Sequence, residues 1–183
     1  GVGRHAVGFE TPLPDFTDCS FATREPDADW AAVVHQGGPV RAFDRMMPAF
    51  GEALTDEEIG KVLTHIRSFC GDRAWPRGEL NLPRPLVTEK AYPEDEAVLT
   101  TTIDAEAPHG FLNQLLYEKR FGARNQVEVA LPFAFRDQPG NSWAGGVGDL
   151  ALAYKRVLFH TLRTGSIFSL TGEAVLPTGD AGR

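Results

Sequence analysis

From Gln126 to Arg136 apolar and polar side chains alternate almost without a break. Val127, Val129, Leu131, Phe133 and Phe135 fall on one side, and Gln126, Glu128, Ala130, Ala134 and Arg136 on the other. A period of two predicts a strand with one apolar and one polar face. The pattern returns from Asp149 to His160, where Leu150, Leu152, Tyr154 and Leu158 oppose Asp149, Ala151, Ala153 and Lys155. It returns again from Ser166 to Leu176, with Phe168, Leu170 and Leu176 opposite Ser169, Thr171 and Glu173. Weaker strands precede these at Ala97–Asp104 and Leu112–Phe121, and Asp137–Asn141 is a turn cluster. The expectation is a meander of about five long antiparallel strands.

Before residue 74 the period is helical. A helix is predicted from near Asp27 through Trp30, Val33 and Val34, ended by Gly37-Gly38-Pro39. A second runs from about Asp56 to Phe69, with Thr55 as N-cap, Glu58 completing a capping box, and Asp56, Glu57 and Glu58 set against the positive end of the helix dipole. Ile59, Val62, Leu63, Ile66 and Phe69 make its apolar stripe. Between the halves, Trp75-Pro76-Arg77-Gly78 and Leu82-Pro83-Arg84-Pro85 rule out regular helix or central strand. The reading is therefore α+β by segment. A helical domain covers 1–73, a proline-rich linker 74–95 and an antiparallel meander 96–183.

Composition narrows the function classes. A net charge of −7 argues against a nucleic-acid binder. No apolar run reaches the ~18 residues of a membrane-crossing helix, but that leaves membrane strands open. The chain starts at Gly1 and stops just after Pro177-Thr178-Gly179-Asp180, and it reads as an internal piece of a longer protein. The only cysteines, Cys19 and Cys70, match no zinc or haem-attachment spacing. They flank the helical segment as either a disulfide of an oxidising compartment or two buried thiols.

The candidate chemistry lies at Met47. Methionine sulfur is a soft donor suited to low-spin haem iron or Cu(I). Pro48 restricts the backbone beside it, and Met46 is a rival donor. Taken alone, a methionine is more often a core gap-filler. Residues 30–69 nevertheless resemble the C-terminal part of a class I c-type cytochrome. The match runs from Trp30 to Gly37-Gly38, then through Met47-Pro48-Ala49-Phe50-Gly51 and Leu54-Thr55-Asp56-Glu57-Glu58-Ile59 to Val62 and His65-Ile66-Arg67. The resemblance implies that Met47 is the distal iron ligand. Pro48, Phe50, Ile59, Val62 and Ile66 would wall the haem, with Pro14 and Phe16 from the preceding loop. The family's Cys-x-x-Cys-His, which supplies the thioether bonds and the proximal histidine, is missing from this sequence. Haem c is therefore expected only together with that segment.

The second half resembles bacterial outer-membrane barrels labelled as phenol-degradation-pathway or transporter-like proteins. The resemblance is carried by Gly148-Asp149-Leu150-Ala151-Leu152-Ala153-Tyr154-Lys155 and Pro177-Thr178-Gly179. It implies an outer-membrane β-region, begun here as a partial barrel and continued by further strands, and passage of small molecules. A soluble sandwich is the alternative for these strands.

His5, His35, His65, His109 and His160 form no His-x-x-x-His pair, and no catalytic constellation or phosphate loop is present. The first functional expectation is haem c-dependent electron transfer in the bacterial envelope. The helical domain would lie in the periplasm and the β-region in the outer membrane, with periplasmic or membrane redox proteins as partners and no substrate turnover. Its rival is a haem-less outer-membrane protein that binds or conducts a small solute, the helical part serving as a structural or interaction module.

Overall fold

The computed structural model describes residues 13–81, 89–140 and 142–179. Two compact units result, one comprising residues 1–84 and 161–165 and the other residues 85–160 and 166–183.

Among the described residues the first unit holds three α-helices: α1 (Cys19–Ala22), α2 (Asp27–Gln36) and α3 (Asp56–Ser68). The two predicted helices form where their signals lie. The Thr55 hydroxyl accepts from the Glu58 amide, and the Glu58 side chain accepts from the Thr55 amide at 2.9 Å, so the capping box is complete. Gly37, at φ +88, ends α2 in a conformation that favours glycine, and a Cβ there would come within 3.0 Å of the Met47 carbonyl oxygen. Cys19 and Cys70 form a disulfide that joins α1 to the chain just after α3. Residues 74–81 pack back on the helices: Pro76, Gly78 and Leu80 are buried, and the Gly78 amide donates to the Thr23 carbonyl at 2.9 Å.

The second unit is one antiparallel sheet. Its strands are β1 (Glu96–Asp104), β2 (Gly110–Phe121), β3 (Asn125–Gln138), β4 (Ser142–Val147), β5 (Leu150–Thr161) and β6 (Ser166–Leu176), in the order β1-β2-β3-β5-β6 with β4 also on β3. Phe133 faces Val147, whereas Ala130 faces Ala151. Three steps along β3 thus oppose four along β4–β5, and the extra residue is a bulge at Gly148-Asp149. The Gly148 amide donates to the Pro132 carbonyl at 2.8 Å, and a Cβ at 148 would strike the Pro132 ring. The bulge exchanges parity, so odd residues of β4 and even residues of β5 share the apolar face.

The expected fold class is corrected by this architecture. The molecule is dominated by antiparallel sheet, and 1–73 is not an all-α cytochrome c-like domain. Helices α2 and α3 are real, but residues 37–55 between them carry only a 3₁₀ turn at Gly38–Arg41. The unit is held by a disulfide and by its own aromatic and charged side chains. The sheet is open among the described residues, with β1 and β6 as its ends, and does not close as a partial barrel. Among the described residues it has six strands where about five were expected. The additional strand is β4, whose Gly145 and Gly146 hide its alternation.

Candidate functional site

Register builds an unusual polar surface on the sheet. Glu96 of β1 stands opposite Glu118 of β2, and Glu118 opposite Glu128 of β3. Directly paired residues share a face, so three glutamates form one cross-strand row, an arrangement that like charges disfavour. Glu118 at the centre of the row is buried, Glu128 is half-buried and Glu96 is exposed. Glu118, Arg120, Gln126 and Lys155 are buried, Gln126 fully (0 % exposed) and Lys155 at 3 %.

The cover is the segment just before β1. Tyr92 and Pro93 are buried, and the Tyr92 hydroxyl accepts from the Arg120 guanidinium. Gln126 joins this segment to the row, because its Nε2 donates to Glu118 and its Oε1 accepts from the Glu94 amide at 2.7 Å. Lys155 Nζ stands 3.9 Å from Glu118 on the sheet and 3.9 Å from Glu89 on the cover. Asp95 pairs with Lys119 at 2.8 Å and Lys90 with Glu94 at 2.7 Å.

Burial pushes the Glu118 carboxyl up to about 7, helped by its hydrogen bond with Glu96 and by the charges of Glu128 and Glu94, while Lys155 pulls the other way. The group thus exchanges a proton near neutral pH. Glu94, Glu96 and Glu118 each bring a carboxylate oxygen within 4.8 Å of the others, a donor set that could hold a hard cation. Lys155 beside it disfavours a second positive charge.

The residues expected to hold haem are dispersed in the helical unit. A groove of about 710 Å³ runs between α2 and α3, lined by Ala28, Ala31, His35, Ile59 and Leu63 among others. Of the expected residues only Ile59 lines it. Met47 is half-buried, its amide donating to Asp44 and its carbonyl accepting from Gly38. Pro14 and Pro48 are exposed, Val62 is 41 % exposed, and Phe50 and Ile66 are half-buried. Phe16 packs on Phe21 and Trp30. That groove therefore does not bring the expected residues together.

What organises this unit is Arg67. Its guanidinium sits 4.0 Å from the Trp30 ring centroid and donates to Asp27 at 2.9 Å, to the Glu25 carbonyl and to the Ala22 carbonyl. Arg77 reaches the same Asp27 carboxylate at 2.8 Å. Burial alone would raise the Asp27 carboxyl, but the Arg67 hydrogen bond and the two guanidinium charges outweigh it and hold it below its ordinary value. The sequence signal for this hub was slight, an arginine at the helix end and another in a proline-rich stretch.

The two segments carrying the barrel resemblance meet in the fold. The Gly179 amide donates to the Asp149 carboxylate at 2.9 Å, and the Leu150 amide to the Thr178 hydroxyl at 3.0 Å. In comparisons with known proteins, no family model matches the chain, and no curated protein or solved structure matches it. Both resemblances thus rest on the quoted residues alone.

Proposed function

We propose that the sheet is a lipid-facing wall of a bacterial envelope protein, with its apolar face against outer-membrane acyl chains and its polar face toward an interior that binds or conducts a small solute. One observation carries this reading: the sheet is buried inside out. Charged and amide side chains are covered on one face, while Leu99, Ile103, Leu115, Tyr117, Phe135, Leu152, Phe168 and Leu170 are exposed on the other, Ile103 at 64 %. A water-facing sheet arranges these the other way, and an exposed apolar surface of this extent marks an interaction site.

The face has the layout of a membrane band. On β3 the apolar run Val127–Phe135 is bracketed by Asn125 and Asp137. Its eight steps span about 27 Å of strand, comparable to the ~25 Å apolar band of membrane strands. Aromatic rings stand near both ends: Phe111 stacks on Trp143 at 5.8 Å, and Phe121 lies 6.1 Å from Tyr154. Polar groups on this face are paired, Thr101 with Asn113 at 2.7 Å and Tyr154 with Asn125 at 2.8 Å. Lipid leaves no water for unpaired strand edges, so β1 and β6 require further strands or another copy beside them. The disulfide suits the oxidising compartment this location supplies.

The test is flotation of the full chain with phosphatidylcholine–phosphatidylglycerol vesicles, followed by fluorescence quenching with brominated lipids. Trp143, 54 % exposed on the apolar face, is the expected quenched residue. Quenching that disappears in Trp143→Phe supports the reading. A detergent-free monomer that does not float refutes it, as does a soluble dimer that shields Trp143 from aqueous quenchers.

A further inference from the structure

Residues 39–46 of the helical unit, Pro-Val-Arg-Ala-Phe-Asp-Arg-Met, are eight consecutive exposed positions. Val40, Phe43 and Met46 recur at every third place among them, Phe43 at 52 % exposure. Single exposed apolar side chains are ordinary, but three in one short loop mark a contact surface. The backbone holds them out. The loop is tied at its base, where the Gly38 amide donates to the Met47 carbonyl and the Phe43 amide to the Gly38 carbonyl, each at 3.0 Å. A Cβ at Gly38 would overlap the Asp44 carbonyl oxygen, so the two limbs lie backbone against backbone with no room for a side chain between them. The Asp44 carboxylate is engaged by the Met46 amide at 2.8 Å, and Arg41 pairs with Asp29. The Arg45 guanidinium has no hydrogen-bond or ion-pair partner among the described residues. We infer that residues 39–46 are a membrane-surface anchor, with Val40, Phe43 and Met46 entering the boundary of an anionic phospholipid bilayer and Arg45 held at its headgroup phosphates.

Size and charge select lipid over protein. Three such side chains offer on the order of 400 Å² of apolar surface. A stable protein interface needs about 800 Å² from each partner. A bilayer surface takes less, a few apolar side chains at the acyl boundary beside cations at the headgroups. The guanidinium fork matches a phosphate, and a free one is what such a headgroup requires. The chain as a whole carries a net charge of −7, so an anionic surface repels it and attraction has to be local. The loop is also fixed in advance, because its turns are closed by backbone hydrogen bonds from Ala42 to Pro39 at 3.1 Å and from Met47 to Asp44 at 3.3 Å. Little ordering cost therefore remains to be met on binding. The inference does not depend on which face of the sheet meets lipid.

The test places an environment-sensitive NBD fluorophore on Phe43→Cys in the full chain, with the Cys19–Cys70 disulfide intact. Phosphatidylcholine vesicles with and without phosphatidylglycerol are then added. The emission should rise and shift to the blue with phosphatidylglycerol present, and stay unchanged for the same label on Lys61→Cys, an exposed position of α3. Arg45→Gln should weaken the phosphatidylglycerol response about fivefold, the share of one cation at an anionic surface. Should Phe43→Cys fail to fold, Val40→Cys carries the label instead. A label at position 43 that stays in water while the chain floats with the vesicles overturns the anchor and leaves the sheet reading standing. A response that persists in Leu115→Arg, whose sheet no longer suits lipid, supports the anchor by itself. An equal response without phosphatidylglycerol, or an Arg45→Gln variant that binds like the parent, overturns it. Shielding of the label that grows with protein concentration in the absence of lipid assigns the loop to a protein contact and overturns it as well.

Discussion

The two units solve burial in opposite ways. The helical unit turns apolar side chains inward, with Ala22, Ile59, Leu63 and Leu80 buried. Its Arg67 is engaged by carbonyls, a carboxylate and an indole face. The sheet buries Glu118, Arg120, Gln126 and Lys155 and leaves Leu99, Leu115, Phe135 and Phe168 exposed. The difference teaches that strand periodicity fixes which residues share a face but not which face meets solvent. In the helices, packing partners within the unit settle that question. In the sheet, the surroundings of the apolar face settle it.

Reducing the disulfide should break this comparison most strongly. The bond closes a loop with a sequence separation of 51, for which the chain-entropy relation gives about 4 kcal/mol. Cys19→Ser with Cys70→Ser should melt the helical unit while the sheet keeps its exchange protection, and concerted loss of both units would show that they do not fold separately. Next in size is a charge on the apolar face. Leu115→Arg should cost about 2–4 kcal/mol if that position lies near mid-membrane. Vesicle flotation measures it, and a variant that stays bound as well as the wild type rules out lipid at that position.

Much of this fold was legible because its signals are local. The Thr55/Glu58 cap, the Gly37 stop and the alternation around Leu131 are each decided within a few residues. What escaped was set by distant partners. β4 was hidden because Gly145 and Gly146 break its pattern and the bulge at Gly148 changes its parity. The Arg67–Asp27–Arg77 hub joins residues 40 and 50 positions apart. The glutamate row exists only through the register of three strands, and of its members only Glu128 was visible as a polar-face residue. Met47 and its neighbours carried a motif whose geometry depends on residues beyond the motif, and of them only Ile59 lines the groove between α2 and α3.

A smaller effect separates the units by pH. Glu118 binds its proton more tightly when folded, near 7, than at its ordinary value of 4.5. Between these values the folded sheet holds more protons than the unfolded chain, so stability is full below 4.5, falls as pH rises to about 7 and is then flat. The sheet transition should drop by about 5 °C over this range, and Glu118→Gln should flatten it. A sheet transition that rises with pH contradicts the assignment.

The helical unit should respond with the opposite sign. Its backbone hydrogen bond from Thr55 holds the Glu58 carboxyl below its ordinary value, and Asp27 is held low as well. Groups depressed by folding contribute stability at pH above their unfolded values, and that contribution is lost on acidification. Thr55→Ala removes the hydroxyl that accepts from the Glu58 amide and should cost about 1 kcal/mol at neutral pH. The Thr55 amide still donates to the Glu58 carboxylate, so only part of the acid limb should disappear in this variant. Thermal melts at pH 3 and pH 7 check this: the gap between variant and wild type should narrow at pH 3, where Glu58 is protonated in both. An unchanged gap would mean that the hydroxyl caps α3 independently of the carboxylate, and that the two halves of the capping box do not act as one.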